Sequence, residues 1–164
     1  MQNKKILFLA QAAIIGALYV VLTVLFAPIS FGTSGIDVRI SEMLTILPFF
    51  TPAAIPGLLI GCVISNILGG GIILDVIFGS LATLIGGFGC YVLSDNRWIA
   101  PIPTILANTI IIPPILKYGY GVNLPLMVLV FSVFAGEVIS AYILGQVLIS
   151  ILQPRRKAIF SEKN

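Results

Sequence analysis

Four ionisable residues stand where the chain is otherwise apolar: Arg39, Glu42, Asp75 and Glu137. A charged side chain at membrane depth costs at least about 2.5–3.5 kcal/mol on insertion scales, so it marks a pathway or a binding site. Carboxylates accept N–H donors and balance cations, while a guanidinium donates to carbonyls and anions. The set fits recognition of a polar solute better than it fits bond breaking. No nucleophile–base pair with a recognisable spacing accompanies it, and the chain has no His. No catalytic residue, metal ligand or cofactor is therefore assigned, and the protein is not expected to be an enzyme.

Asn66, Asn108, Lys117 and Tyr118 complete the candidate substrate-binding set, with Tyr120 and Phe31 as further possible stacking partners. Each has a plainer alternative. Arg39 and Glu42 are three apart and could pair with each other. Asp75 could cap a helix after Gly69-Gly70-Gly71. The two asparagines could be hydrogen-bonding glue between helices. Lys117 could snorkel to a membrane interface. Glu137, within Phe134-Ala-Gly-Glu-Val-Ile, is hardest to explain this way, because its own segment offers no basic neighbour. The three-glycine run reads as a tight turn rather than a phosphate cradle.

These residues need elements to hold them, and composition says which. Of 164 residues 59% are hydrophobic and 9% charged, with a mean hydropathy of +1.13. A hydrocarbon layer of roughly 30 Å takes about 20 apolar residues per helix, so the chain has room for about six spans and no soluble domain. The expected fold is a single all-α integral membrane domain, residues 1–164, with helices over about 6–26, 38–50, 52–68, 74–93, 98–117 and 124–152. The first ends before Pro28, Asp37 caps the second, and Pro113-Pro114 should kink or break the fifth, since proline removes a donor. Lys4-Lys5, Arg97 and Arg155-Arg156-Lys157 share one side only if six spans start inside, so both termini are expected in the cytoplasm. The second helix is then a short or tilted span. The first segment is expected to be retained, since its apolar run is too long for a signal peptide.

This topology gathers Arg39, Glu42, Asn66, Asp75 and Lys117 toward the outer side. Glu137, about 13 residues into its helix and roughly 20 Å along it, lies near mid-membrane with Asn108. The polar groups converge on a pocket open to the outside. Cys62 and Cys90 read as buried small hydrophobes. The net charge of +3 gives no sign of nucleic acid, and without a GxxxxGK[ST] motif the chain has no P-loop for ATP. Small residues four apart, Ala13/Ala17 and Ala12/Gly16, let another helix approach closely. Either pair could serve packing within the chain or a separate partner.

At these residues the chain resembles the QueT family, substrate-binding (S) components of energy-coupling factor (ECF) transporters. The resemblance rests on Ala-Leu-Tyr-Val-Val-Leu-Thr (17–23), Ala-Pro-Ile-Ser-Phe-Gly (27–32), Arg-Ile-Ser-Glu (39–42) and Leu-Pro-Phe-Phe-Thr-Pro-Ala-Ala-Ile-Pro-Gly-Leu (47–58). Asn-Ile-Leu-Gly-Gly-Gly (66–71), Asp75, Phe-Gly-Ser-Leu-Ala-Thr-Leu (78–84) and Gly-Glu (136–137) extend it. The resemblance implies a multi-pass protein of the bacterial plasma membrane that captures a queuosine precursor, a 7-deazaguanine such as preQ1 or queuine, from outside. It implies as partners a transmembrane coupling subunit, met through Ala13 and Ala17, and two ABC ATPases. It also implies a lid between helices one and two, for which Gly32–Gly35 would serve. Two alternatives stay open: an S component for a different vitamin-like nutrient, and a solitary proton-coupled carrier with Glu137 as its proton site.

Overall fold

A computed structural model describes residues 2–30 and 38–160. The described residues form six helices and a terminal turn, with no strand among them. Helix α1 spans Gln2–Ser30. It runs past Pro28, because a proline in a last turn removes one hydrogen bond and leaves the rest of the helix intact. Asp37, Phe31 and the Gly32–Gly35 stretch lie outside the described residues.

Helix α2, Ile40–Phe49, is a 3₁₀ helix with Pro48 inside it. Its rise of about 2.0 Å per residue carries ten residues farther than an α-helix would. Three residues per turn also align Arg39, Glu42 and Thr45 in one row, and the Thr45 hydroxyl donates to Glu42 O at 2.6 Å. Eight of its ten residues are buried, so it forms the central post of the bundle.

Helix α3 is Ala54–Leu68 and ends in the glycine turn, where Gly69 and Gly71 donate to Ser65 O and Asn66 O at 2.8 Å each. Gly70 takes a φ of +73°, which glycine alone adopts without strain. Helix α4 spans Asp75–Val92, its first turn a π turn at Asp75–Gly79. Helix α5 begins with Ile102–Pro114 and continues as a π turn over Ile115–Gly119. The expected break at Pro113-Pro114 does not occur. Proline's fixed φ suits a helix, and the ladder beyond the prolines widens, with Tyr120 N–H donating to Ile115 O at 3.1 Å. Helix α6 runs Leu126–Glu137, a π segment Val138–Leu144, and Gly145–Leu152. After Gln153–Arg155, the short α7, Arg156–Ile159, closes the described chain.

Three of these helical stretches are long and apolar enough to cross a membrane: Lys4–Phe26, Asp75–Val92 and Leu126–Arg155. Helices α2 and α3 are shorter apolar helices. Large apolar side chains such as Ile6, Leu9, Ile110 and Phe131 are exposed around the bundle. A water-soluble monomer rarely shows such a surface; a lipid-facing one does.

The helices alternate in direction, giving the bundle two ends. At one, Thr51 donates to Gln11 Oε1 at 3.0 Å, Gln11 donates to Ile159 O at 3.2 Å, and Phe160 stacks on Phe50. Arg97 joins α6 here, donating to Gln146 Oε1 and Ser150 Oγ at 3.1 Å each, while the Gln146 amide donates to Arg97 O. At the other end lie Arg39, the glycine turn, Asp75 and Tyr120. The apolar core, with Tyr19, Ile46, Phe50, Leu58 and Ile149, surrounds α2.

Helices α1 and α3 meet most closely, through small residues. A Cβ on Gly57 would stand 2.5 Å from Ala12 O, and one on Gly16 2.9 Å from Gly57 O. The Ala12/Gly16 pair thus serves packing within the chain. Ala13 and Ala17 lie on the exposed side of α1.

Candidate functional site

Two buried polar clusters occupy the Arg39 end of the bundle, joined by the Arg39–Glu42 row of α2. The deeper one is centred on Glu42. Tyr19 of α1 donates its hydroxyl to Glu42 Oε1 at 2.5 Å. Asn108 of α5 lies between two carboxylates, its amide nitrogen 2.9 Å from Glu137 Oε1 and 3.5 Å from Glu42 Oε2. Four helices therefore each contribute one side chain. Tyr19 and Glu42 are 1% exposed, Asn108 3% and Glu137 5%, so no bulk solvent screens their interactions.

The second cluster is centred on Asp75, which is 1% exposed. Its Oδ2 accepts from Tyr120 Oη at 2.9 Å and lies 3.6 Å from Arg39 Nη2. The Tyr120 hydroxyl also accepts from Ile72 N–H at 3.3 Å. Among the described residues, Asp75 Oδ1 has no hydrogen-bond partner. Space for this carboxylate depends on Gly79, where a Cβ would stand 2.8 Å from Oδ1. Asp75 does not cap its helix: the N-cap position is Leu74 and no side-chain cap bond forms. Asn66 donates to Asp75 O at 3.2 Å and to Cys62 Sγ at 3.6 Å, tying α3 to α4.

Six of the eight candidate residues (Arg39, Glu42, Asn66, Asp75, Asn108 and Glu137) thus meet in one polar region. Tyr118 does not join them. It is 76% exposed and faces away, because the π turn rotates Tyr120 inward instead. Lys117 is half-buried on the same turn. Burial, then the charge of Asp75, pushes the Tyr120 phenol above its usual value, so it remains a donor to the carboxylate. Tyr19 was not anticipated, since a tyrosine in an apolar helix carries no local sign of its partner. Cys62 and Cys90 are buried and form no disulfide.

Apolar helices with large apolar side chains exposed around a buried polar interior are those of a membrane protein. A family-wide description, "QueT transporter", matches residues 9–154, and the chain belongs to that family. A curated relative, "Queuosine precursor transporter QueT" of Lactococcus lactis subsp. cremoris (strain MG1363), is 41% identical over 87 residues. That alignment covers 52% of this chain and 50% of the relative, so the match spans about half of the relative's length. No solved structure matches the chain.

Proposed function

We propose that this protein is the substrate-capturing membrane subunit of an ECF-type importer, and that it binds a queuosine precursor from outside. The observation that carries this reading is the buried region in which three carboxylates, Glu42, Asp75 and Glu137, stand against one guanidinium, Arg39. Such a region suits a ligand rich in N–H donors, as a 7-deazaguanine is. Membership of the QueT transporter family supports the substrate class. In this reading the chain crosses the bacterial plasma membrane six times, α2 being the short span. Both termini and the Arg97 end face the cytoplasm, which follows the positive-inside rule. Uptake is driven by two partner ABC ATPases acting through a coupling subunit. The exposed Ala13/Ala17 face of α1 is the contact for that subunit, since small residues admit a second helix. The chain itself catalyses no reaction.

Equilibrium binding of the purified protein to a panel of 7-deazaguanines, with guanine and common vitamins as controls, tests the ligand. Selective submicromolar binding of one deazaguanine is expected. Binding of a vitamin alone would keep the S-component reading and replace the ligand. Uptake into vesicles holding this chain alone, without ATP, would instead establish a solitary carrier.

A further inference from the structure

Far from the Glu42 and Asp75 clusters, the opposite end of the bundle holds a cation among neutral groups. Arg97, in the turn before α5, donates from Nε to Gln146 Oε1 and from Nη2 to Ser150 Oγ, at 3.1 Å each. Its own carbonyl accepts from the Gln146 amide, and Ser150 Oγ donates to Gln146 O at 2.9 Å. The guanidinium also lies over the Trp98 ring, 4.8 Å from the centroid. These contacts fix its position without neutralising it. Among the described residues Arg97 forms no ion pair, not even with Asp95 two positions away, and Nη1 makes no hydrogen bond.

An apolar groove of about 310 Å³ runs between α5 and α6, with Ile102, Ile105 and Leu106 on one wall and Phe134, Val138 and Tyr142 on the other. Ile102, Leu106 and Phe134 are exposed, so the groove opens on the outer face of the bundle. Its α6 wall leads to the cation: Phe134, Val138, Tyr142, Gln146 and Ser150 recur every four residues. Four residues exceed one α-helical turn slightly and fall short of one π turn, so across the π segment Val138–Leu144 the two drifts offset and the five stay in line. Its α5 wall begins at Ile102, the first residue of the helix that the Arg97 turn enters. Trp98, 56% exposed, stands at the junction, and tryptophan favours the level of lipid headgroups.

A fixed guanidinium at the end of a lipid-facing apolar groove matches a phospholipid, since arginine donates to phosphate with directed N–H groups. The geometry points to an anionic phospholipid site, with the phosphate at Arg97 and one acyl chain in the α5–α6 groove. A zwitterionic headgroup brings a cation of its own toward Arg97, so the anionic lipid is preferred. Basic pockets between membrane helices bind acidic headgroups in this way. This site is separate from the one proposed for the transported solute and does not depend on that solute's identity.

Trp98 is the chain's one tryptophan, so its fluorescence reads this site directly. The full-length chain is placed in phosphatidylcholine bilayers, and phosphatidylglycerol or phosphatidylcholine bearing a nitroxide near the headgroup end of one acyl chain is added as quencher. Half-maximal quenching by the phosphatidylglycerol probe is expected at a mole fraction at least about fivefold lower, the factor that one basic residue gives at an anionic surface. Equal quenching by the two probes overturns the site and needs no variant to fold. Arg97→Gln should bring the ratio to about one, and because each ratio compares two lipids on one protein, altered Trp98 emission does not affect it. Lys4→Gln with Lys5→Gln should leave the ratio unchanged. Loss of the preference in that pair and its survival in Arg97→Gln would show diffuse attraction to a basic surface and overturn the assignment. Glycerol 3-phosphate at millimolar concentration should not relieve the quenching; relief would show that the headgroup binds without the groove and overturn the acyl-chain placement.

Discussion

Replacing Gly57 with alanine tests the closest helix contact in the bundle. The new Cβ would stand 2.5 Å from Ala12 O and 3.2 Å from both Ala12 C and Ala12 Cα. All three are backbone atoms, so no rotamer change relieves the clash. Helix α1 must withdraw by about 1 Å to restore an ordinary separation near 3.5 Å. A gap of 0.5–1 Å forfeits about a quarter to a half of each neighbouring dispersion contact. That loss would spread to Gly16 and Gly61, where a Cβ would stand 2.9 Å and 2.8 Å from backbone oxygens across the interface. Overpacking of this kind costs about 1–3 kcal/mol, and with backbone on both sides the upper end applies. Alanine's better helix propensity returns up to about 1 kcal/mol, leaving a net loss of about 2 kcal/mol. At roughly 2–4 °C per kcal/mol for a chain of this size, Tm should fall by about 5 °C. Cys62 and Cys90, both buried thiols, supply the assay: a thiol-reactive dye reports their exposure as detergent-solubilised protein is heated. Ala13→Leu, on the exposed side of α1, should move Tm by no more than about 1 °C. If Gly57→Ala is as stable as the parent or more so, helix propensity alone governs the position and the close approach of α1 and α3 is refuted.

Three further outcomes are expected. Tyr19→Phe removes a 2.5 Å hydrogen bond to Glu42 and should cost about 1.5–3 kcal/mol, as bonds to charged groups do. In a double-mutant cycle with Glu42→Gln its effect should fall well below additivity, and full additivity would show that the two side chains act independently. Ala13→Leu with Ala17→Leu should leave ligand binding by the isolated protein unchanged while abolishing co-purification with a coupling subunit; retained assembly places the partner elsewhere. Because Tyr120 holds its proton more tightly in the folded chain, the unfolded phenol ionises first, near pH 10. The unfolded state then binds fewer protons, so stability falls as pH rises beyond that value. Tyr120→Phe should lessen the fall in an alkaline series of thermal melts, and an identical profile would refute the coupling.

Much of the site was legible because charge is so expensive in an apolar chain. Arg39, Glu42, Asp75 and Glu137 identify themselves by type and surroundings, and no knowledge of geometry is needed to suspect them. Partners were harder to read. Tyr19 contributes through one hydroxyl on a mostly apolar stretch of α1. Its link to Glu42 depends on α1 lying close to α3, where a Cβ on Gly61 would stand 2.9 Å from Tyr19 Cβ. The glycine turn after α3 was readable from Gly69-Gly70-Gly71, and a Cβ on Gly71 would stand 2.9 Å from Asn66 O, within that same turn.

What resisted sequence reading most was helical phase. An α-helix advances about 100° per residue, so Glu137 and Gln146, nine positions apart on α6, should face opposite ways. Both are nonetheless buried, at 5% and 8% exposure. The π segment Val138–Leu144 between them advances only about 80° per residue, because each of its bonds closes a wider ring. Over seven residues that deficit brings the two side chains back toward a common side. Glu137 can then meet Asn108 at one end while Gln146 accepts from Arg97 at the other. The π turn Ile115–Gly119 acts similarly where Tyr120, and not Tyr118, reaches Asp75. In α2 the deviation has the opposite sense, since three residues per turn hold Arg39, Glu42 and Thr45 in line where an α-helix would fan them apart. A uniform helical wheel misplaces residues beyond each such segment. Where polar residues must face a buried site from several depths of one bundle, these local changes of pitch keep them aimed at it, and π turns are frequent at functional sites.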